Sequence, residues 1–125
     1  MFSRKKEADN SKSTTTLISP ETNITGDIVF AGAAHVEGNI HGNISSDNGQ
    51  LIIVKTATIT GDIHARHVVI YGTVNGNVYS EKYLELVSGA VINGKVFYNE
   101  IEMEKGAQVN GSIEYRPGND ASENS

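Results

Sequence analysis

One five-residue unit occurs six times in this chain of 125 residues, and it constrains the fold more than any other feature. A branched aliphatic, any residue, glycine, a polar residue and a second branched aliphatic make up each copy. The copies are Ile24–Ile28, Ile40–Ile44, Ile59–Ile63, Val74–Val78, Ile92–Val96 and Val109–Ile113. Their glycines (Gly26, Gly42, Gly61, Gly76, Gly94, Gly111) are 16, 19, 15, 18 and 17 residues apart, which is 85 residues over five steps, a mean of 17. A repeat of this length cannot bury its own apolar side; it buries it by stacking on its neighbours, which makes a solenoid.

The two aliphatics of each unit are four residues apart, the period of a strand that points them to one side. A second apolar pair follows at regular offset: Leu51 and Ile53, Val68 and Ile70, Leu84 and Leu86, Ile101 and Met103. Each coil therefore needs at least two short strands joined by bends, with β-branched side chains in inward ladders. Coils ~4.8 Å apart give a rod on the order of 30 Å long. The central glycine fits a tight corner or a positive φ. Asn75, Asn93 and Asn110 hold one position in successive units and predict an asparagine ladder. The segments Val36–Ile44 and Ile70–Val78 double the unit and lie 34 residues apart, implying a two-coil super-repeat of alternating long and short strands. The prediction is an all-β parallel β-helix of about six coils.

Flanking composition sets the boundaries. Residues 1–22, with the run Thr14-Thr15-Thr16, and residues 117–125 are too polar to offset chain entropy by burial, so both read as disordered tails around a 23–116 core. The chain has no cysteine, which excludes a disulfide framework, a thiolate metal site and a cysteine nucleophile. The net charge of -5 leaves no broad footprint for phosphate backbones, so no nucleic-acid partner is expected. No apolar run reaches the ~20 residues of a membrane span, and the first residues lack a secretory core. A cytoplasmic protein is expected.

These features together resemble the bactofilins, bacterial polymer-forming cytoskeletal proteins. The resemblance covers roughly residues 20–115. It rests on the doubled-glycine segment Val36–Ile44 and its echo Ile70–Val78, on Gly89-Ala90-Val91-Ile92-Asn93-Gly94, and on Gly106-Ala107-Gln108-Val109-Asn110-Gly111. The start Met1-Phe2-Ser3-Arg4-Lys5-Lys6 also fits. The resemblance implies a right-handed, three-faced β-helix that polymerises end to end without nucleotide. It further implies attachment to the cytoplasmic membrane by such an N-terminus, and the task of localising cell-wall or cell-shape proteins.

Physical reasoning reaches assembly by its own route. A β-helix ends in open strand edges, which solenoids blunt with a polar cap or a helix. No helical pattern flanks these repeats, and both outer units keep the interior apolar pattern. Ile24 and Ile28 at one end, and Val109, Ile113 and Tyr115 at the other, are the candidate polymer-interface residues. The chain's principal partner would then be itself. Its glycines sit inside strand repeats and form no phosphate-cradling loop, so no cofactor is expected. At the N-terminus, Met1 and Phe2 with Arg4, Lys5 and Lys6 make a candidate membrane tag for the anionic inner surface. Its expected location is peripheral, on the inner face of the cytoplasmic membrane.

The side chains that could carry catalysis are better read as ladder positions. His41 and His64 occupy places taken elsewhere by Thr60 and Asn75, and by Tyr79 and Phe97; His35 and His67 complete the set of four. Glu100, Glu102 and Glu104 alternate with Ile101 and Met103, so all three face solvent, where a carboxylate lacks the enclosure that raises a catalytic pKa. Among the aromatics, Tyr79, Phe97 and Tyr98 are the candidates for an outward patch that meets a partner. The competing class is a trimeric hexapeptide-repeat acyltransferase or metalloenzyme, but the regular hexad is missing. No catalytic or metal residue is assigned.

Overall fold

A chain that must return to its starting level every ~17 residues cannot do so in one straight strand, because each strand residue advances ~3.3 Å. It has to bend, and glycine and polar residues mark where. The computed structural model describes residues 15–117, in which every regular element is a β-strand.

The first coil holds β1 (Thr15–Ile18), β2 (Asn23–Thr25) and β3 (Ile28–Val29). The second holds β4 (Ala33–Val36), β5 (Asn39–His41) and β6 (Ile44–Ser45). Next come β7 (Gln50–Ile53), β8 (Thr58–Thr60), β9 (Ile63–Ile70), β10 (Thr73–Asn75) and β11 (Val78–Leu86). The series ends with β12 (Val91–Asn93), β13 (Val96–Tyr98), β14 (Glu100–Met103), β15 (Gln108–Val109) and β16 (Ile113–Tyr115).

All pairings are parallel and sort into three faces. The first face is β1, β4, β7, the end of β9, the end of β11, and β14. The second is β2, β5, β8, β10, β12 and β15. The third is β3, β6, the starts of β9 and β11, β13 and β16. Six coils with three faces each result, the coil number that the repeat predicts and the face number that the resemblance implies. Because β9 and β11 run through a corner unbroken, the first and third faces form a single sheet of ten strands. A bulge between Ser80 and Tyr83 takes up one extra residue there, and the buried Ser80 hydroxyl meets the Tyr83 carbonyl at 2.7 Å.

The core is a set of columns. Ile40, Ile59, Val74 and Ile92 on the second face, and Ile44, Ile63, Val78 and Val96 on the third, are 0–1% exposed. The first face adds Leu51, Val68 and Leu84, and beside them Ile53, Ile70 and Leu86, all fully buried. Each repeating unit is thus two strands rather than one: its first aliphatic lies on the second face and its second on the third. The glycine between them makes the corner. A Cβ on Gly42 would run into the Gly26 carbonyl, and the same holds up the stack for Gly61, Gly76, Gly94 and Gly111. At the first four corners the polar residue after the glycine ties coils together. Asp27, Asn43, Asp62 and Asn77 accept the backbone N–H of Asn43, Asp62, Asn77 and Lys95 at 3.0, 2.9, 3.0 and 2.9 Å.

Three expectations need correction. Residues 15–22 are not tail: β1 pairs with β4, and Ile18 sits buried beneath Val36. Composition misjudged this segment because one inward aliphatic and a neighbouring coil suffice to hold a four-residue strand. The super-repeat is real in the corners, not in strand length. Four residues separate Val36 from Ile40 and Ile70 from Val74, against six from Ile53 to Ile59, so Gly72 nests over the Val54 and Ala57 carbonyls of the longer corner below. The two longest strands, β9 and β11, belong instead to neighbouring coils. Third, Tyr98 follows Phe97 on one strand and so points the other way, packing against the core and meeting Tyr115 edge-on at 5.8 Å.

The asparagine ladder forms as predicted. Asn93 Nδ2 donates to Asn75 Oδ1 at 2.7 Å, and Asn110 Nδ2 to Asn93 Oδ1 at 2.8 Å. Asn39 and Asn23 make a further rung at 3.0 Å. Asn93→Ala removes both bonds at the middle of the run. Each exposed bond contributes roughly 0.5–1.5 kcal/mol, so thermal unfolding should register a loss of about 1 kcal/mol or more. An unchanged Tm would show that the ladder is decorative.

Candidate polymerisation interfaces at the solenoid ends

Each column must end somewhere, and the burial pattern records where. Ile24 and Ile28, in the first coil, are only partly buried, although their partners Ile40 and Ile44 are 0% and 1% exposed. In the sixth coil Val109 is partly buried and Ile113 is 44% exposed, while Ile92 and Val96 one coil below are at 0%. Tyr115 is exposed and caps the corner column above Tyr98. The five residues expected at the ends therefore lie on the two terminal coils, where each has a stacked neighbour on one side only among the described residues. Among the described residues, β2, β3, β14, β15 and β16 each have a strand partner on one side only, which leaves an open edge.

Sequence reasoning missed other residues of the same surfaces. Ile18 and the exposed Thr16 belong to the first end, and Ile101 and the exposed Met103 to the second. A signal was present for Ile18: it precedes Ile24 by six residues, just as Ile53 precedes Ile59. The first end also has a distinctive corner. Among the described residues a Cβ on Gly26 would meet nothing within 4 Å, because none of them forms a coil beneath it like those that block the other stacked glycines.

The last coil carries more charged side chains than the first, whose described charged residues are Glu21 and Asp27. The last coil carries Glu100, Glu102, Glu104 and Glu114 on its exposed outer positions, with Lys105 and Arg116. Glu102 accepts the Tyr83 hydroxyl at 2.6 Å, and that bond, with some burial and the charges of Glu102, Glu85 and Glu100, pushes the phenol up to about 12. Tyr83 accordingly stays a neutral donor throughout the physiological range. The Ser112 hydroxyl, buried beside the last corner, has no hydrogen-bond partner among the described residues.

The histidines fall where the repeat places them. His41 is exposed between Thr25 and Thr60 on the second face. His64 begins a ring column on the third: it lies 5.1 Å from Tyr79, which stacks on Phe97 at 4.8 Å and 5°. Arg116 covers the column with its guanidinium 5.3 Å from the Phe97 ring and 5.9 Å from that of Tyr79. His35 and His67 are half-buried on the outer side of the first face. Among the described residues no three His, Asp or Glu converge in a way that could hold a metal ion. The membrane-tag residues Met1, Phe2, Arg4, Lys5 and Lys6 lie outside the described residues, as do residues 118–125.

Comparison with known proteins adds an independent line. The family model described as "Bactofilin: Polymer-forming cytoskeletal" matches residues 16–114, a span that begins inside β1 and ends inside β16. Searches of curated proteins and of solved structures returned no match. The match takes in both terminal coils together with every copy of the repeat, and on that basis the chain belongs to the bactofilin family of polymer-forming cytoskeletal proteins.

Proposed function

We propose that this chain is a non-enzymatic scaffold that polymerises by stacking its solenoid ends, needs no nucleotide, and lines the inner face of the cytoplasmic membrane. The observation that carries the reading is the pair of ends that no described residue caps. Partly exposed aliphatics and open strand edges there repeat the pattern that is fully buried one coil inward. Stacking one such end on another continues the backbone ladder and removes the terminal aliphatics from water, at roughly 25 cal/mol per Å² of apolar surface covered. If like ends meet, each junction is isologous and the filament has no polarity. Filaments in negative-stain images of protein purified without nucleotide support this reading, and only discrete particles under those conditions refute it.

Membrane attachment rests on Met1, Phe2, Arg4, Lys5 and Lys6. Burial of a phenylalanine contributes roughly 1.5–3 kcal/mol, and each basic residue about 1 kcal/mol at an anionic surface. One copy binds weakly and reversibly, whereas a filament presenting many copies binds by avidity. Deleting residues 2–6 should abolish co-sedimentation with phosphatidylglycerol-containing vesicles while filaments still form; equal pelleting of deletion and full chain would refute the tag. From the membrane, the filament would hold cell-shape or cell-wall proteins in place.

A further inference from the structure

The outer side of the first face departs from the polar rule kept by the second. Leu51, Ile52, Ile53 and Val54 run without interruption, as do Val68, Val69, Ile70 and Tyr71. Alternate members fill the core, so Ile52 and Val69 are left outside, half-buried and stacked on each other in the middle two coils. At the adjoining corner Val54 and Tyr71 line a groove of about 420 Å³ with His35 and Lys55. Farther up the same face the outward residues are Glu85 and Glu102; farther down they are His35 and the exposed Leu17. An apolar centre with acids on one side and a histidine on the other asks for a particular kind of cover.

We propose that this face binds the same face of a second copy, side by side and with the coil order reversed. The reason is self-complementarity. Reversing the order of six coils about a two-fold axis along the strands brings coil three opposite coil four and coil two opposite coil five. Ile52 then faces Val69 of the other copy, and Val54 faces its Tyr71. His35 meets Glu85, so an imidazole lies beside a carboxylate on each side of the apolar centre, and Leu17 falls opposite Glu102 at the margin. In the neighbouring column Ala33 lies opposite Tyr83, small against large, and Gln50 opposite His67. The same-direction arrangement instead sets Glu85 on Glu85 and Glu102 on Glu102, and like charges in register exclude it. Two aligned sheets with strands in one direction is also a standard face-to-face packing. Single contacts are small; a filament repeats them along its length, so polymers pair more tightly than isolated subunits do.

The chain has no native cysteine, so introduced thiols report on this geometry directly. An equimolar mixture of Ile52→Cys chains and Val69→Cys chains should give a covalent heterodimer with a short bis-maleimide, whether or not the subunits polymerise. The two positions are placed on separate chains because within one chain they are register partners. Glu85→Cys alone should not. In negative-stain images, His35→Glu should convert paired filaments to single ones of unchanged length, and adding Glu85→Lys should restore the pairs. Within one subunit these residues are three coils apart, so a rescue reports contact between copies. The proposal is overturned if positions 52 and 69 fail to cross-link, if position 85 cross-links to itself, or if the double charge variant stays unpaired. Single filaments that never pair in the unmodified protein would also overturn it. The end-to-end reading survives every one of those results, and its own failure leaves the cross-link test intact.

Discussion

Val109→Arg is expected to give folded subunits that make no filaments. Val109 lies on the last strand of the second face, with Ile92 below it and nothing described above it. An arginine there can bend its guanidinium into water, so the free subunit loses little. In a junction the same charge would be trapped against the partner's aliphatic column without a counter-ion, at a cost of several kcal/mol. The matched control is Ile92→Arg, one coil inward at 0% exposure, which should prevent folding altogether. Circular dichroism separates the two variants, and sedimentation with electron microscopy reads assembly. The size of the Val109→Arg product carries further information. A dimer through the untouched first end means that like ends meet, whereas a monomer means head-to-tail stacking. Normal filaments from a folded Val109→Arg protein would remove the second face from the junction and with it the simplest form of the stacking reading.

The second large effect concerns the glycine corner, and it separates folding from assembly within a single motif. Gly76→Ala would push a methyl into the Gly61 carbonyl, a backbone atom that cannot turn aside. Overpacking of this kind costs roughly 1–3 kcal/mol, and the rigid neighbour places it toward the upper figure. For a domain of this size about 4–8 °C of Tm accompanies each kcal/mol, so a fall on the order of 10–20 °C is expected. Gly26→Ala changes the same letter of the same unit, yet its methyl meets nothing within 4 Å among the described residues. Its φ of +126° still disfavours alanine, at roughly 1 kcal/mol or a little more. That methyl, however, projects from the first end, where a neighbouring subunit would sit. The expected result is a modest loss of Tm together with impaired filament growth. Equal Tm losses for the two variants would mean that the corner glycines are kept for their dihedral angle rather than for close stacking.

Much of the candidate interface was legible because the repeat is strict. Spacing placed Ile24, Ile28, Val109 and Ile113 in the outermost units, aligned Asn75, Asn93 and Asn110, and put His64 in a column with Tyr79 and Phe97. The misses share a cause. Ile18 is a lone aliphatic in a polar segment, and only a second coil above it makes that one side chain enough. Tyr98 and Phe97 looked alike in composition but alternate across the strand. The apolar outer side of Ile52 and Val69 was hidden in runs whose other members had an obvious use in the core.

By itself, then, the sequence determined that the chain forms stacked coils, because residues at fixed spacing must share a column whatever the details of the turns. It determined which aliphatics face inward. Three matters were decided only by the tertiary structure: that each unit bends into two strands, that the first coil begins at β1, and which apolar side chains remain uncovered. Inward or outward is a local property of a strand, set by alternation along the chain. Whether a side chain is covered depends on coils that are distant in sequence or belong to another subunit. The open ends are where that supply of neighbours runs out within one molecule.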